Sequence, residues 1–255
     1  MAKPVTYERR GAAAVLTIDR PERRNAIDGP TAELLAEGYR SFVADDEARV
    51  LLLTGAGGVA FCAGADLKAI ESFGPRLDLE EGPLGVSREI SPKPTIAAIS
   101  GWCLAGGLEL ALWCDLRIAS EDAKLGFTER RFGVPLVDGG TQRLPRIVGL
   151  GRALDMILTG RIVEAGEAHR IGLITEVVAP GDHLDRALEY AEALAAFPQD
   201  TLLADRSAAL EGIGLPFAEG LRLEARAGRA TLATAWAGAS RFAAGEGRGG
   251  AGAGV

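Results

Sequence analysis

Between Thr95 and Ala119 four pieces of chain follow one another almost without spacer. A five-residue apolar run, Thr95 to Ile99, leads into a glycine- and alanine-rich turn. An apolar helical stretch from about Gly106 to Cys114 follows, then a second β-like run, Leu116 to Ala119. Runs this apolar do not alternate, so they predict strands buried on both faces, as in parallel sheets covered by helices. The same pattern recurs along the chain. Val50-Leu-Leu-Leu-Thr54 stops at Gly55-Ala-Gly-Gly, and Ile174 to Val178 follows helical stretches near Arg152–Leu158 and Glu164–Arg170. Val5–Glu8 and Ala13–Asp19 read as a hairpin turning at Arg10-Gly11, and Thr31–Ala44 as a helix with Leu34, Leu35, Tyr39, Phe42 and Val43 on one side. From Leu184 the pattern is helical over Leu184–Ala196, Thr201–Glu211 and Pro216–Phe242. The expected architecture is α/β to about residue 180, then all helical. The predicted organisation is a core over 1–195, a helical region over 196–242 that serves oligomerisation, and a disordered Ala/Gly-rich tail over 243–255.

Composition narrows the function. With 28 Lys plus Arg against 35 Asp plus Glu, the net charge of −7 argues against sequence-independent nucleic-acid binding. Three cysteines without CxxC spacing (Cys62, Cys103, Cys114) and two histidines (His169, His183) offer neither a disulfide framework nor a zinc site. No signal or transit pattern opens the chain and no apolar run is long enough to span a bilayer, so a soluble, cytoplasmic protein without membrane partners is expected.

Two segments can carry chemistry. In Ala60-Phe-Cys-Ala63-Gly-Ala-Asp66-Leu-Lys68, and again in Ser100-Gly-Trp-Cys-Leu-Ala105-Gly-Gly107-Leu-Glu109, small residues stand where backbone must approach something closely. In the second, a helix starts directly after the turn, so free N–H groups at its N-terminus face outward. Such donors can hold a developing oxyanion; tight helix–sheet packing accounts for the same residues. Glu109 is a carboxylate inside Leu-Glu-Leu-Ala-Leu-Trp, surroundings that call for burial. Glu129, in Gly126-Phe-Thr-Glu129-Arg-Arg, reads equally as a solvated partner of Arg130 or Arg131.

These residues carry a resemblance. Ile96 to Leu116, with its Ala105-Gly-Gly107 triplet and closing Cys114-Asp115, resembles the signature of the enoyl-CoA hydratase/isomerase (crotonase) superfamily. Ala60–Lys68 resembles its first oxyanion loop, Arg20–Ile27 its coenzyme A-contacting loop, and Gly139-Gly-Thr-Gln-Arg-Leu144 a further motif, in the family's order over about residues 5–215. The resemblance implies a crotonase-like spiral of ββα units with a helical C-terminal region, assembled as a homotrimer or homohexamer. It implies an enoyl-CoA hydratase, a lyase of fatty acid metabolism. The oxyanion donors would be Ala63 and Gly106, and the two catalytic glutamates Glu109 and Glu129. Arg24, Ala26, Ala63, Gly64, Ala65, Asp66, Leu67 and Gly106 would bind the acyl-CoA thioester. No separate cofactor is implied, since coenzyme A enters with the substrate. Acyl length would be set around Leu67, Ile70, Phe73 and the 80–86 region. Glu129 is assigned the proton at C2 and Glu109 the activation of water.

One departure stands out. Where hydratases read Pro-Gly-x-Gly-Gly, this chain has Leu136-Val137-Asp138-Gly139-Gly140, which puts a third carboxylate near the acyl pocket. Asp138 either pairs with Arg130, Arg131 or Arg143, or serves isomerase or dehalogenase chemistry. Three further readings compete. Gly55-Ala-Gly57-Gly-Val-Ala60 formally matches a dinucleotide fingerprint, which requires a helix to begin at once. A serine hydrolase on the same spiral lacks GxSxG and has histidines only in polar C-terminal contexts. A non-catalytic acyl-CoA-binding protein would have no use for both glutamates.

Overall fold

The computed structural model describes residues 3–247. The first part of the chain, through Ala191, forms one compact unit, and the part from Glu192 onward forms another. The boundary falls inside a helix, α6 (His183–Ala196).

In the first unit, β1 (Val5–Arg10) and β2 (Ala13–Ile18) make the expected antiparallel hairpin. β2 then pairs in parallel with β3 (Val50–Gly55), β3 with β5 (Thr95–Ile99), β5 with β7 (Leu116–Ser120), and β7 with β10 (Glu176–Val178). Every residue of β3 and β5 is buried, which explains their unbroken apolarity. Short strands follow three of these: β4 (Ala60–Cys62), β6 (Trp102–Leu104) and β8 (Lys124–Gly126). They form a second sheet in the order β4-β6-β8-β9, closed by β9 (Val163–Glu164). The chain therefore alternates between the sheets, and each passage lies one strand further along both. That displacement makes a spiral of repeated ββ-plus-helix turns.

Helices fill the crossovers. α1 (Gly29–Ala44) starts on Asp28, whose carboxylate accepts from the Thr31 N–H at 2.9 Å and the Thr31 hydroxyl at 2.6 Å. α2 (Gly106–Trp113) is apolar all round except at Glu109, and it is buried from Gly107 to Trp113. α3 (Gly140–Val148), α4 (Leu150–Thr159) and α5 (Ala165–Arg170) lead to β10.

The second unit contains α7 (Gln199–Glu211), α8 (Phe217–Ala230) and α9 (Leu232–Ala243). The single helix expected over Pro216–Phe242 is two, interrupted at Thr231, whose backbone leaves helical geometry (φ −107°, ψ 11°). The expectation of a disordered tail over 243–255 lies, from residue 248 on, outside the described residues. Among the described residues no helix is long and apolar enough to cross a membrane.

Two competing readings lose their structural basis here. After Gly55 no helix begins; the chain turns through Gly57 and Gly58, both at positive φ, into β4. Neither histidine lines the cavity described below, and His169 is exposed.

Candidate active site

The spiral brings its chemistry to one place. Ala65 lies three residues beyond β4, Gly106 and Glu109 lie just beyond β6, and Glu129 lies three residues beyond β8. Since β4, β6 and β8 are parallel neighbours, these residues emerge from the same, C-terminal, edge of the second sheet. They line a cavity of about 440 Å³. Apart from Thr128 and Asp138 its remaining wall is apolar, built from Leu67, Ile70, Phe73, Leu77 and Leu84 together with Phe132, Val134, Pro135 and Val137. The expected acyl-pocket residues Leu67, Ile70 and Phe73 are among them. The 132–137 wall was not foreseen, because a loop of mixed apolar residues has no periodicity to read.

The approach of the two loops depends on glycine. Gly64 has φ +91°, and a Cβ there would stand 2.8 Å from the Ala105 Cβ and 2.9 Å from the Gly106 nitrogen. At Gly107 a Cβ would meet the Cys62 carbonyl oxygen at 2.1 Å, so only glycine lets α2 dock on β4. Ala105 itself sits at φ +53°, ψ −128°, a conformation strained for any residue with a side chain.

The N–H groups correct one expectation. Ala63 lines the cavity, but its N–H donates to the Arg24 carbonyl at 3.1 Å and is not available to a ligand. The Ile27 N–H binds the Gly64 carbonyl, and the Asp66 N–H returns to the Ile27 carbonyl. This ladder uses the Asp66 donor, and the Gly64 N–H on the other side of Ala65 donates to the Cys62 sulfur at 3.3 Å. Among the described residues the Ala65 N–H has no acceptor, nor does that of Gly106 at the first position of α2. The Ala65 nitrogen lies 3.7 Å from where a Cβ of Gly106 would be, so the two free donors are close neighbours.

The other expected binding residues serve this loop. Arg24 has a left-handed backbone (φ 52°) and an exposed side chain, and Ala26 is buried beside it. Asn25, fully buried, donates to the Ala56 and Ala60 carbonyls and accepts from the Arg20 N–H, which clamps the loop onto β4. The Asp66 carboxylate faces Arg20 at 3.4 Å and caps the Lys68 N–H at 3.1 Å. It does not line the cavity, so its part is structural.

Both glutamates are buried, at 3 % exposure for Glu109 and 7 % for Glu129. Glu109 Oε1 accepts from the Gly140 N–H at 2.8 Å and the Asp138 N–H at 3.0 Å. Burial, and next the charge of Asp138, push its carboxyl up to about 7 against the pull of those two N–H bonds. Burial raises the Glu129 carboxyl too, and neither of its oxygens has a hydrogen-bond partner among the described residues. A buried carboxylate without donors is expensive, so this site favours a proton on Glu129 or a polar ligand beside it. Glu129 is thus no solvated partner of Arg130 or Arg131. The arrangement offers two carboxyls for proton transfer and two N–H donors for a growing negative charge, around an apolar space.

Asp138 lines the cavity but does not pair with an arginine through its carboxylate as one expectation had it. Its Oδ1 accepts from the Leu84 N–H at 3.1 Å and the Ser87 hydroxyl, and Arg143 donates to its carbonyl rather than to its carboxylate. The cysteines are inert: all three are buried, with Cys62 and Cys114 pushed up to about 12 by desolvation.

The family described as Enoyl-CoA hydratase/isomerase matches residues 8–243. A probable enoyl-CoA hydratase of Rhizobium meliloti is 40 % identical over 233 residues, 89 % of each chain. A short-chain-enoyl-CoA hydratase of Clostridium acetobutylicum is 40 % identical over 191 residues, 73 % of each. The crystal structure of enoyl-CoA hydratase EchA1 from Mycobacterium marinum superposes with a TM-score of 0.88 at 33 % identity, covering 94 % of this chain and 95 % of that one.

Proposed function

The chain belongs to the enoyl-CoA hydratase/isomerase family, and from that premise we propose how its cavity adds water across the 2,3 double bond of a 2-enoyl-CoA thioester. The protein is a hydro-lyase with an acyl-CoA substrate. One observation carries the mechanism: two buried carboxyls with raised proton affinity share an apolar cavity with two adjacent unpaired N–H groups.

The thioester carbonyl lies against the Ala65 and Gly106 N–H groups, with the acyl chain against Phe73, Leu84 and Val137. Polarising the carbonyl makes C3 electrophilic and accommodates the enolate oxygen, at about 3–4 kcal/mol per donor. Glu109 takes a proton from water as the oxygen bonds to C3, because its Oε1 is fixed by two N–H groups and Oε2 makes no hydrogen bond among the described residues. Glu129 supplies the proton to C2, because burial raises its carboxyl and neither of its oxygens accepts a hydrogen bond among the described residues. The cycle closes when the proton that Glu109 takes from water replaces the one that Glu129 gives to C2.

Hydration and isomerisation are told apart by isotopes. Crotonyl-CoA incubated in ¹⁸O-labelled water must give a 3-hydroxy thioester carrying the label, and in D₂O deuterium at C2. A shifted double bond without ¹⁸O uptake contradicts hydration and favours the isomerase reading.

We also propose a homotrimeric or homohexameric assembly. It is supported by Phe217, Trp236 and Phe242, large apolar side chains that the second unit leaves exposed. Light scattering checks this: a mass of 26.6 kDa contradicts the assembly.

A further inference from the structure

Asp138 has no part in the hydration mechanism just given, yet it joins two pieces of the site. Its peptide N–H is one of the two donors on Glu109 Oε1. Its carboxylate holds the Leu84 N–H and the Ser87 hydroxyl on the opposite wall. Leu84 is 1 % exposed, lines the cavity, and places its Cδ1 3.0 Å from where a Cβ of Gly106 would stand. The joint is braced by Arg143, which donates to the Asp138 and Ser87 carbonyls, and by Arg88, which donates to the Leu77 and Leu79 carbonyls. All of these guanidinium bonds go to main chain, so the acid is held by a peptide N–H and a hydroxyl. A neutral acceptor would bind Leu84 and Ser87 with a smaller desolvation cost. Keeping a buried acid there therefore calls for a reason beyond packing.

We propose that Asp138 is a positioning residue for the hydration, tying the acyl-pocket wall at Leu84 and Ser87 to the Glu109 carboxylate so that base and pocket are set as one piece. The inference rests on the hydratase reading of the site. Its consequences separate by the part of Asp138 that is altered. The charged groups facing Glu109 are Asp138 and Arg143 from the segment after Pro135 and Glu129 from the turn after β8. Removing the Asp138 charge makes the Glu109 carboxylate easier to form, while loosening the staple acts first on the wall that meets the acyl chain.

The test compares wild type, Asp138→Asn and Ser87→Ala on crotonyl-CoA and on a long straight-chain 2-enoyl-CoA, across pH. Asparagine keeps the acceptor and the peptide N–H but loses the charge. The acid limb of kcat/KM should move down by about one pH unit, with KM for the long substrate unchanged. Ser87→Ala frees the wall and removes the hydroxyl that holds the Asp138 carboxyl down. Its acid limb should move no further than that of Asp138→Asn, while KM for the long substrate rises about tenfold and that for crotonyl-CoA hardly changes. An unmoved acid limb in Asp138→Asn, or a Ser87→Ala variant that treats both substrates as wild type does, overturns the proposal. If Asp138→Asn does not fold, the Ser87→Ala arm decides it. If wild-type protein hydrates nothing, the hydratase reading has failed. The proposal is then decided by carbon-13 NMR of labelled glutamate, where Asp138→Asn must lower the Glu109 midpoint, and by whether Ser87→Ala weakens binding of a long saturated acyl-CoA.

Discussion

Glu109 is maintained at the expense of stability. Its carboxyl is raised to about 7 in the folded chain, against about 4 in an unfolded one, so the native state binds the extra proton between those values. Its contribution to stability is then complete below the unfolded value and is lost as pH rises through about 7. Glu109→Gln keeps an acceptor for the Asp138 and Gly140 N–H groups and cannot ionise. Denaturant melts should show it more stable than wild type at pH 8, by up to about 3 kcal/mol, with the gain gone near pH 4. Ala105 is a second site of this kind. Its strained φ/ψ should be relieved by Ala105→Gly, which gains about 1 kcal/mol after the extra unfolded-state entropy of glycine. A loss of stability would show that the alanine methyl packs more usefully than the strain costs. At this scale the sequence was readable where composition was odd, as for Glu109 among leucines, and silent on bonds already spent. Nothing in Ala63-Gly64-Ala65 says that Arg24 takes the first N–H and leaves the third residue's free.

In the first sheet β3 and β5 were legible because each is a buried, largely apolar run. β4, β6 and β8 were not, since three residues cannot show alternation and each reads as part of a turn. α3 escaped notice because Pro145 lies inside it, and the break at Thr231 because helix-forming residues continue on both sides. Yet the second sheet is what aligns the site, and its close packing is testable. Gly107→Ala drives a methyl into the Cys62 carbonyl, so α2 must move off β4 and carry Gly106 and Glu109 with it. The expected result is a loss of about 3 kcal/mol in unfolding together with a collapse of kcat. Full activity at wild-type stability would mean that α2 is not held by this contact.

For the molecule as a whole, the spiral explains why distant segments form one site. Each turn delivers one loop to the same sheet edge, so Ala65, Glu109 and Glu129 meet although 64 positions separate the first from the last. The order of the motifs was visible in the sequence, and family resemblance supplied the spiral that composition and periodicity alone left as a generic α/β fold. Partners fifty residues apart, such as Asp138 with Leu84 and Ser87, became visible only in three dimensions.

The central claim is that two buried glutamates divide the proton work of hydration. It is tested most directly by following loss of the conjugated enoyl-thioester absorbance of crotonyl-CoA with wild type, Glu109→Gln and Glu129→Gln. The account predicts rapid loss with wild type and a fall in kcat of about 10²–10⁴ in each variant, with crotonyl-CoA still bound. Undiminished turnover in either variant, or wild-type protein that binds the thioester and never consumes it, would contradict it.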